Sequence, residues 1–162
     1  MATGNRKQVS LSDTKLERVS VVEGAEGYIK LDIHKSGDVQ TLKSKWFNFY
    51  IEKGRTIFEA FFGEDNGEDS VPAVALWAYR PPLDVGSYEI DRPPEKIAGL
   101  FGTGRPGAVG AAGWGKGILI VDETSSQLDN QFIKGSFEFI YKDYDGVMVK
   151  VVAEEFWAKN SE

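Results

Sequence analysis

Apolar and polar residues alternate along much of the chain with a period of two. The alternation is clearest near the C-terminus, where two arms flank the turn residues 144–146. A period of two is typical of a half-buried β-strand and not of a helix. A three-residue loop with a left-handed Gly146 therefore predicts a hairpin whose register matches the hydrophobic pattern. Its expected cross-strand pairs are Tyr141–Val149, Phe139–Val151 and Phe137–Ala153.

A second hairpin is predicted around a two-residue loop at Lys53–Gly54. This loop would pair Phe49 with Phe58 and Phe47 with Ala60, which places the phenylalanines on one face. The same alternation, interrupted by glycine and proline, predicts further strands at 16–22, 28–34, 41–51, 71–79, 87–90 and 118–122.

Three segments do not alternate in this way. Residues 95–101 fit either one helical turn or a short strand. Residues 102–117 are rich in glycine and are predicted to form a long loop, and residues 123–130 are predicted to form a polar loop. Long irregular loops are uncommon in compact domains and are often functional.

The elements together predict an all-β fold. Apolar stripes with helical spacing are no longer than two turns, so about seven to ten strands in hairpin order are expected. They would form an antiparallel β-sandwich or a small closed β-barrel. Residues 1–15 are predicted to be a flexible N-terminal arm, and residues 16–159 a single β domain.

Composition limits the partners and the compartment. The 162 residues carry a formal charge of −6, which argues against nucleic acid as the main partner. Cysteine is absent, so a disulfide, a zinc-thiolate site and a thiol nucleophile are excluded. The polar N-terminus lacks the apolar core of a signal peptide, and no stretch is long enough for a membrane helix. We expect a cytoplasmic protein by default, with non-classical export left open.

Two glycine motifs resemble nucleotide-binding strings. Residues 102–107 match G-x-G-x-x-G, and residues 110–116 match most of a phosphate-binding loop. The first motif needs a helix after it, but glycine interrupts the next residues. The second needs a hydroxyl residue where Gly117 stands, and a predicted strand follows it. No cofactor is therefore predicted.

Catalytic and metal-binding groups are equally hard to assemble. The acidic turn 64–69 holds several oxygen ligands, but their spacing does not fit an EF-hand, so a solvated turn is the preferred interpretation. His34 is the only histidine, and the alternation places it on a polar strand face. No serine lies in a nucleophile-elbow motif. We predict no metal site and no catalytic residue, although an enzyme with an unidentified reaction stays open.

Aromatic residues give the strongest indication of a binding site. In the stretch 46–51 both faces of the predicted strand are largely apolar, which fits an extra layer, a subunit contact or a ligand cavity. Tryptophan and tyrosine are enriched where surfaces bind partners, and the glycine-rich segment adds one more tryptophan and two cations. Core packing is the competing interpretation. The candidate ligand-binding residues are Trp46, Tyr50, Trp77, Arg105, Trp114 and Lys116.

Three functions remain open. The preferred hypothesis is a non-catalytic β-sandwich that binds a partner protein or a carbohydrate through exposed aromatics and the glycine-rich loop. A small β-barrel that carries an apolar small molecule is the first alternative. The second is a structural or assembly protein that forms homo-oligomers through its sheet surfaces.

Overall fold

A computed structural model describes residues 8–10, 25–44, 46–63, 70–79 and 82–160. These ranges contain strands and turns and no helix. The strands are β1 (Val9–Ser10), β2 (Glu26–Lys35), β3 (Asp38–Lys43), β4 (Trp46–Glu52), β5 (Arg55–Phe61), β6 (Val71–Ala78), β7 (Gly86–Ile90), β8 (Ala98–Arg105), β9 (Ala108–Ala111), β10 (Lys116–Gln127), β11 (Asn130–Lys142) and β12 (Met148–Asn160).

The strands form two antiparallel six-stranded sheets. Sheet A has the order β1-β9-β8-β6-β5-β4, and sheet B has the order β3-β2-β12-β11-β10-β7. The sheets pack face to face over one large apolar core, which includes Phe58, Phe139 and Phe156. They are not closed into a barrel. The predicted all-β class is confirmed, and of the two predicted architectures the structure has the sandwich and not the closed barrel.

The C-terminal hairpin has the predicted register. Phe137 pairs with Ala153, Phe139 with Val151 and Tyr141 with Val149. The Asp143 N–H donates to the Val147 carbonyl at 2.9 Å, which closes a loop of three residues. Within it Gly146 has a φ of 79°, in the left-handed region that glycine tolerates. Turn chemistry and hydrophobic pattern therefore select the same pairing.

The hairpin at Lys53–Gly54 is also confirmed. Phe49 pairs with Phe58, and Phe47 with Ala60. Both loop residues have a positive φ, 52° for Lys53 and 79° for Gly54. Positive φ at both central residues is the geometry that matches the twist of two-residue hairpins.

The prediction of one strand over residues 41–51 is wrong. β3 ends at Lys43 in sheet B, and β4 begins at Trp46 in sheet A. Ser44 lies at the crossing, where its N–H donates to the Ile29 carbonyl at 3.0 Å. β3 is exposed apart from the half-buried Leu42, so few apolar residues mark where it ends and the break was not recognised.

The prediction of a loop over residues 102–117 is also wrong. Most of this segment belongs to the β8–β9 hairpin and to the start of β10. A Cβ atom at Gly102 would lie 2.0 Å from the Gly110 carbonyl oxygen, and one at Gly104 would lie 2.3 Å from the Ala108 carbonyl oxygen. These glycines permit a close approach between two backbones, which is one of the uses of glycine inside strands. The undecided segment 95–101 contains the beginning of β8.

The predicted polar loop 123–130 is instead the end of one hairpin. β10 continues to Gln127, and only residues 128–129 separate it from β11. A bulge at Asp122 shifts the register between the two strands. The extra residue reverses the alternation, so the remainder of β10 no longer resembles a continuation of the same strand. With the split at residue 44 and the added hairpin, the described strands number twelve, more than the seven to ten predicted.

Side chains of sheet B satisfy the free edge of sheet A. β4 is an edge strand. The Ile51 N–H donates to Gln131 Oε1 at 2.9 Å, and Gln131 Nε2 donates to the Ile51 carbonyl. Asn160 Nδ2 donates to the Phe49 carbonyl at 3.2 Å. Unpaired edges can recruit other strands, so these buried amides also protect the edge from foreign pairing.

Several predictions concern residues outside the described ranges: the strand at 16–22, the acidic turn 64–69 and most of the arm 1–15. From that arm, Val9 and Ser10 pair with Ala111 and Gly110. A helix long and apolar enough to cross a membrane is not found in the part of the chain that the structure describes.

Candidate functional site

The face of sheet A that points away from sheet B is apolar and aromatic. We call it the aromatic face. Its residues form a second hydrophobic cluster, separate from the core between the sheets. Its buried members are Tyr50, Ile57, Phe61, Val71, Ala73, Ala75, Trp77, Ala98, Leu100, Val109 and Ala111, and the partly buried Val9, Trp46, Tyr79 and Trp114 pack against them.

The outer face of sheet B has a different chemistry. It carries cross-strand ion pairs, among them Lys150–Glu138 at 3.3 Å and Lys134–Glu155 at 3.6 Å. His34 lies exposed on this polar face, as predicted, beside Lys150 of the neighbouring strand. A charged face of this kind is typical of a sheet in contact with water. The aromatic face of sheet A does not have that composition.

Four of the six predicted ligand-binding residues belong to the aromatic face: Trp46, Tyr50, Trp77 and Trp114. The rings of Trp46 and Phe61 are stacked with centroids 4.3 Å apart, and Trp46 Nε1 donates to the Gly63 carbonyl at 2.9 Å. Tyr50 is 3% exposed and Trp77 1% exposed. Of these four residues, only Trp46 and Trp114 therefore remain partly accessible, whereas Tyr50 and Trp77 are buried in the same cluster.

The two predicted cations lie elsewhere. Arg105 is exposed at the end of β8, next to the turn of the β8–β9 hairpin. Lys116 is exposed at the start of β10, in the other sheet. The structure thus associates Arg105 with the turn beside the aromatic face and separates Lys116 from it.

A buried carboxylate within the aromatic face was missed by the sequence analysis. Glu59 is fully buried, and its Oε1 accepts hydrogen bonds from Asn48 Nδ2 at 2.8 Å and from the Gly107 N–H at 2.9 Å. The predicted pairs Phe49–Phe58 and Phe47–Ala60 already place Asn48 opposite Glu59. The sequence signal for this buried carboxylate was a pair of polar residues predicted to lie opposite each other in two aromatic-rich strands.

The environment of Glu59 moves the pKa of its carboxyl group into the physiological pH range. Burial raises the pKa of Glu59 to about 7, against which the hydrogen bonds from Asn48 and Gly107 act. Both Glu59 Oε2 and Trp77 Nε1 are buried without a hydrogen-bond partner. Ile57 pairs with Trp77 and Glu59 with Ala75, so the two unsatisfied atoms belong to diagonal neighbours on adjacent strands.

The Gly107 hydrogen bond attaches the glycine-rich hairpin to the aromatic face. Gly107 has a φ of 80°, which permits the tight β8–β9 turn. Since Glu59 lies on β5 and Gly107 beyond the end of β8, the bond fixes the turn against the centre of the sheet. The turn and the aromatics therefore form one surface.

Metal chemistry has no obvious support in the ranges described. No group of three or more histidine, aspartate or glutamate side chains there could hold a metal ion.

Comparisons of the chain with models of known protein families, with curated proteins and with solved structures find no match. We therefore infer the function from the geometry and chemistry of the chain itself.

Proposed function

We propose that the protein is a non-catalytic binding module that recognises a partner protein or a carbohydrate through the aromatic face and the β8–β9 hairpin. The observation that carries the proposal is the gathering of Trp46, Tyr50, Trp77 and Trp114 into one cluster outside the core between the sheets. Packing of the two sheets does not require this cluster.

The physical support comes from the side chains that remain accessible. Trp46 and Trp114 are only partly buried. Tryptophan offers a large rigid ring with a polar N–H, and such residues contribute much of the free energy at binding surfaces. The ring faces also suit the apolar faces of sugars. Tyr50 and Trp77, which are buried in the same cluster, would keep the surface rigid and so reduce the entropic cost of binding.

The position of Trp157 provides a matched control. Trp157 belongs to β12 in sheet B, where its ring stacks on Phe132 with centroids 6.5 Å apart. Like Trp46, it is a partly buried tryptophan stacked on a phenylalanine. If replacing a tryptophan impairs binding only through a general loss of aromatic packing, substitutions at Trp46 and at Trp157 should both impair it. If binding occurs at the proposed surface, only the substitution at Trp46 should impair it.

The carbohydrate form of the proposal is tested with a panel of soluble oligosaccharides. Binding is followed by tryptophan fluorescence in a Trp157→Phe background, in which the remaining tryptophans all belong to the aromatic face. A saturable change with at least one sugar, weakened about tenfold or more by Trp46→Ala, is expected. A sugar that binds Trp46→Ala and wild type equally contradicts the proposed site.

The partner-protein form is tested by photo-crosslinking. A photoreactive phenylalanine analogue replaces Trp46 in one variant and Trp157 in the other, and each is irradiated in an extract of cells that produce the protein naturally. Crosslinks to one protein from position 46 but not from position 157 support the proposal. The proposal is contradicted if no sugar in the panel binds and if positions 46 and 157 also crosslink equally.

Assembly through sheet surfaces is the second candidate, because Trp46 and Trp114 of the aromatic face are only partly buried within one copy. Two copies that cover these tryptophans would form a homo-oligomer. Light scattering at increasing protein concentration distinguishes the candidates. A dimer that Trp46→Ala dissociates supports assembly, whereas a monomer at all concentrations contradicts it.

A further inference from the structure

A cavity of about 300 Å³ lies at the end of β6 and shares only Tyr79 with the aromatic face. Its walls come from the connection between β6 and β7, from β7 itself, and from residues 94–97 before β8. The volume is at the lower end of the range for small-molecule sites. The apolar and aromatic lining residues are Tyr79, Pro82, Leu83, Tyr88, Pro94 and Ile97.

The lining is preorganised. The Tyr88 hydroxyl accepts a hydrogen bond from the Asp84 N–H at 3.0 Å and donates one to the Asp84 carbonyl at 2.9 Å. Tyr79 makes an edge contact with Trp77, with ring centroids 6.2 Å apart. Leu83 and Ile97 are 7% and 6% exposed and form an apolar floor. Both aromatic rings are therefore held in place before a ligand arrives, which lowers the entropic cost of binding.

The lining residues within the described ranges carry a net negative charge. Among the described lining residues, Asp84, Glu89 and Glu95 are acidic, and Lys96 is basic. Lys96 Nζ lies 3.0 Å from Glu89 Oε1, so this pair largely cancels. The carboxylates of Asp84 and Glu95 then leave an excess of negative charge. The same cavity is lined by Tyr79 and Tyr88, and aromatic ring faces attract cations. An anionic ligand would meet repulsion at this rim, and a neutral one would gain nothing from the carboxylates.

We propose that this cavity binds a small organic cation: an ammonium group on a compact aromatic or apolar body. The apolar body would fill the floor at Leu83 and Ile97, and the ammonium group would face the carboxylates of Asp84 and Glu95. The proposal does not depend on the function proposed for the aromatic face.

The test uses three probes of similar shape and different charge: benzylammonium, benzyl alcohol and benzoate. Each is titrated into the full-length ¹⁵N-labelled protein at low salt, with amide chemical shifts as the readout. We expect saturable shifts at Leu83, Tyr88 and Ile97, with affinity falling in the order cation, alcohol, anion. Added salt should reduce the advantage of the cation, because salt screens charges at an exposed rim.

The double variant Asp84→Asn/Glu95→Gln tests the role of charge. Two exposed carboxylates contribute modestly, so the affinity for benzylammonium should fall about three- to tenfold, while that for benzyl alcohol stays unchanged. The control Glu123→Gln/Glu155→Gln makes the same change in net charge around Lys134 on the outer face of sheet B.

Three outcomes overturn the proposal. They are the absence of saturable shifts at the cavity with benzylammonium, equal affinities for the cation and the alcohol, and equal losses in the double variant and its control.

Discussion

Replacing Glu59 by glutamine should remove a pH dependence of stability that arises from one buried carboxyl group. The pKa of Glu59 is raised from its ordinary 4.5 to about 7 in the folded protein, chiefly by burial. Between these values the folded state binds more protons than the unfolded state. The free energy of unfolding therefore falls as the pH rises through this interval. The contribution is fully present below about 4.5 and lost above about 7.

The magnitude follows from the difference of about 2.5 between the two pKa values. At about 1.36 kcal/mol for each unit of pKa, the full effect is roughly 3 kcal/mol, most of it between about pH 5 and pH 8. Solvent screening does not reduce it, because Glu59 is 0% exposed. Glutamine keeps an acceptor oxygen for Asn48 and Gly107 and carries no charge at any pH. The variant should therefore be more stable than wild type at the higher pH.

The assay is urea unfolding of both proteins at several pH values between about 5 and 8, followed by far-ultraviolet circular dichroism. Glu52→Gln is the control, because Glu52 is exposed at the end of the neighbouring strand. Parallel pH profiles for wild type and Glu59→Gln would refute the reasoning. A variant that is less stable than wild type at the higher pH would also refute it, because Glu59 would then be stabilising as the carboxylate.

Three further predictions concern the sheets. Gln131→Ala leaves the buried N–H and carbonyl of Ile51 without their partners, so urea unfolding should show a loss of about 2–5 kcal/mol. Gly102→Ala brings a Cβ atom against the β9 backbone and should cost roughly 1–3 kcal/mol or more, whereas Gly113→Ala, whose nearest atom lies 3.6 Å away, should have little effect on the melting temperature. Lys35 lowers the pKa of Asp143, so stability from this pair is lost as the pH falls through that lowered value. The variant Asp143→Asn should not show this loss of stability when the pH is lowered. If its stability falls with pH as that of wild type does, the role assigned to the Lys35–Asp143 pair is contradicted.

Local signals determined the parts of the fold that the sequence predicted correctly. Both confirmed hairpins join a turn that requires positive φ to strands whose apolar residues agree on one register. The errors occurred where a local signal is ambiguous. The mostly exposed β3 gives few apolar residues to mark the sheet change near Ser44, and the alternation reverses at the Asp122 bulge. Glycines that allow two strands to approach closely resemble those of a loop.

The candidate site was likewise predicted correctly only where local signals determine it. The hydrophobic alternation places Trp46 and Tyr50 on the face of β4 opposite Phe49. The positions of β6 and β8 within sheet A, however, depend on long-range strand pairing that no local pattern specifies. The hydrogen bond between Gly107 and Glu59 joins residues 48 positions apart and depends on where the β8–β9 turn lies relative to β5. Sequence patterns could identify the aromatic residues. That these residues cluster on one face could be seen only once the strand topology was known.

The claim that the aromatic face is the binding surface is tested most directly by comparing photo-crosslinking from positions 46 and 157 in the natural cell extract. The account predicts crosslinks to one macromolecule from position 46, reduced when Trp114→Ala is added, and none to that macromolecule from position 157. Equal yields from both positions, or crosslinking from position 157 alone, would contradict it.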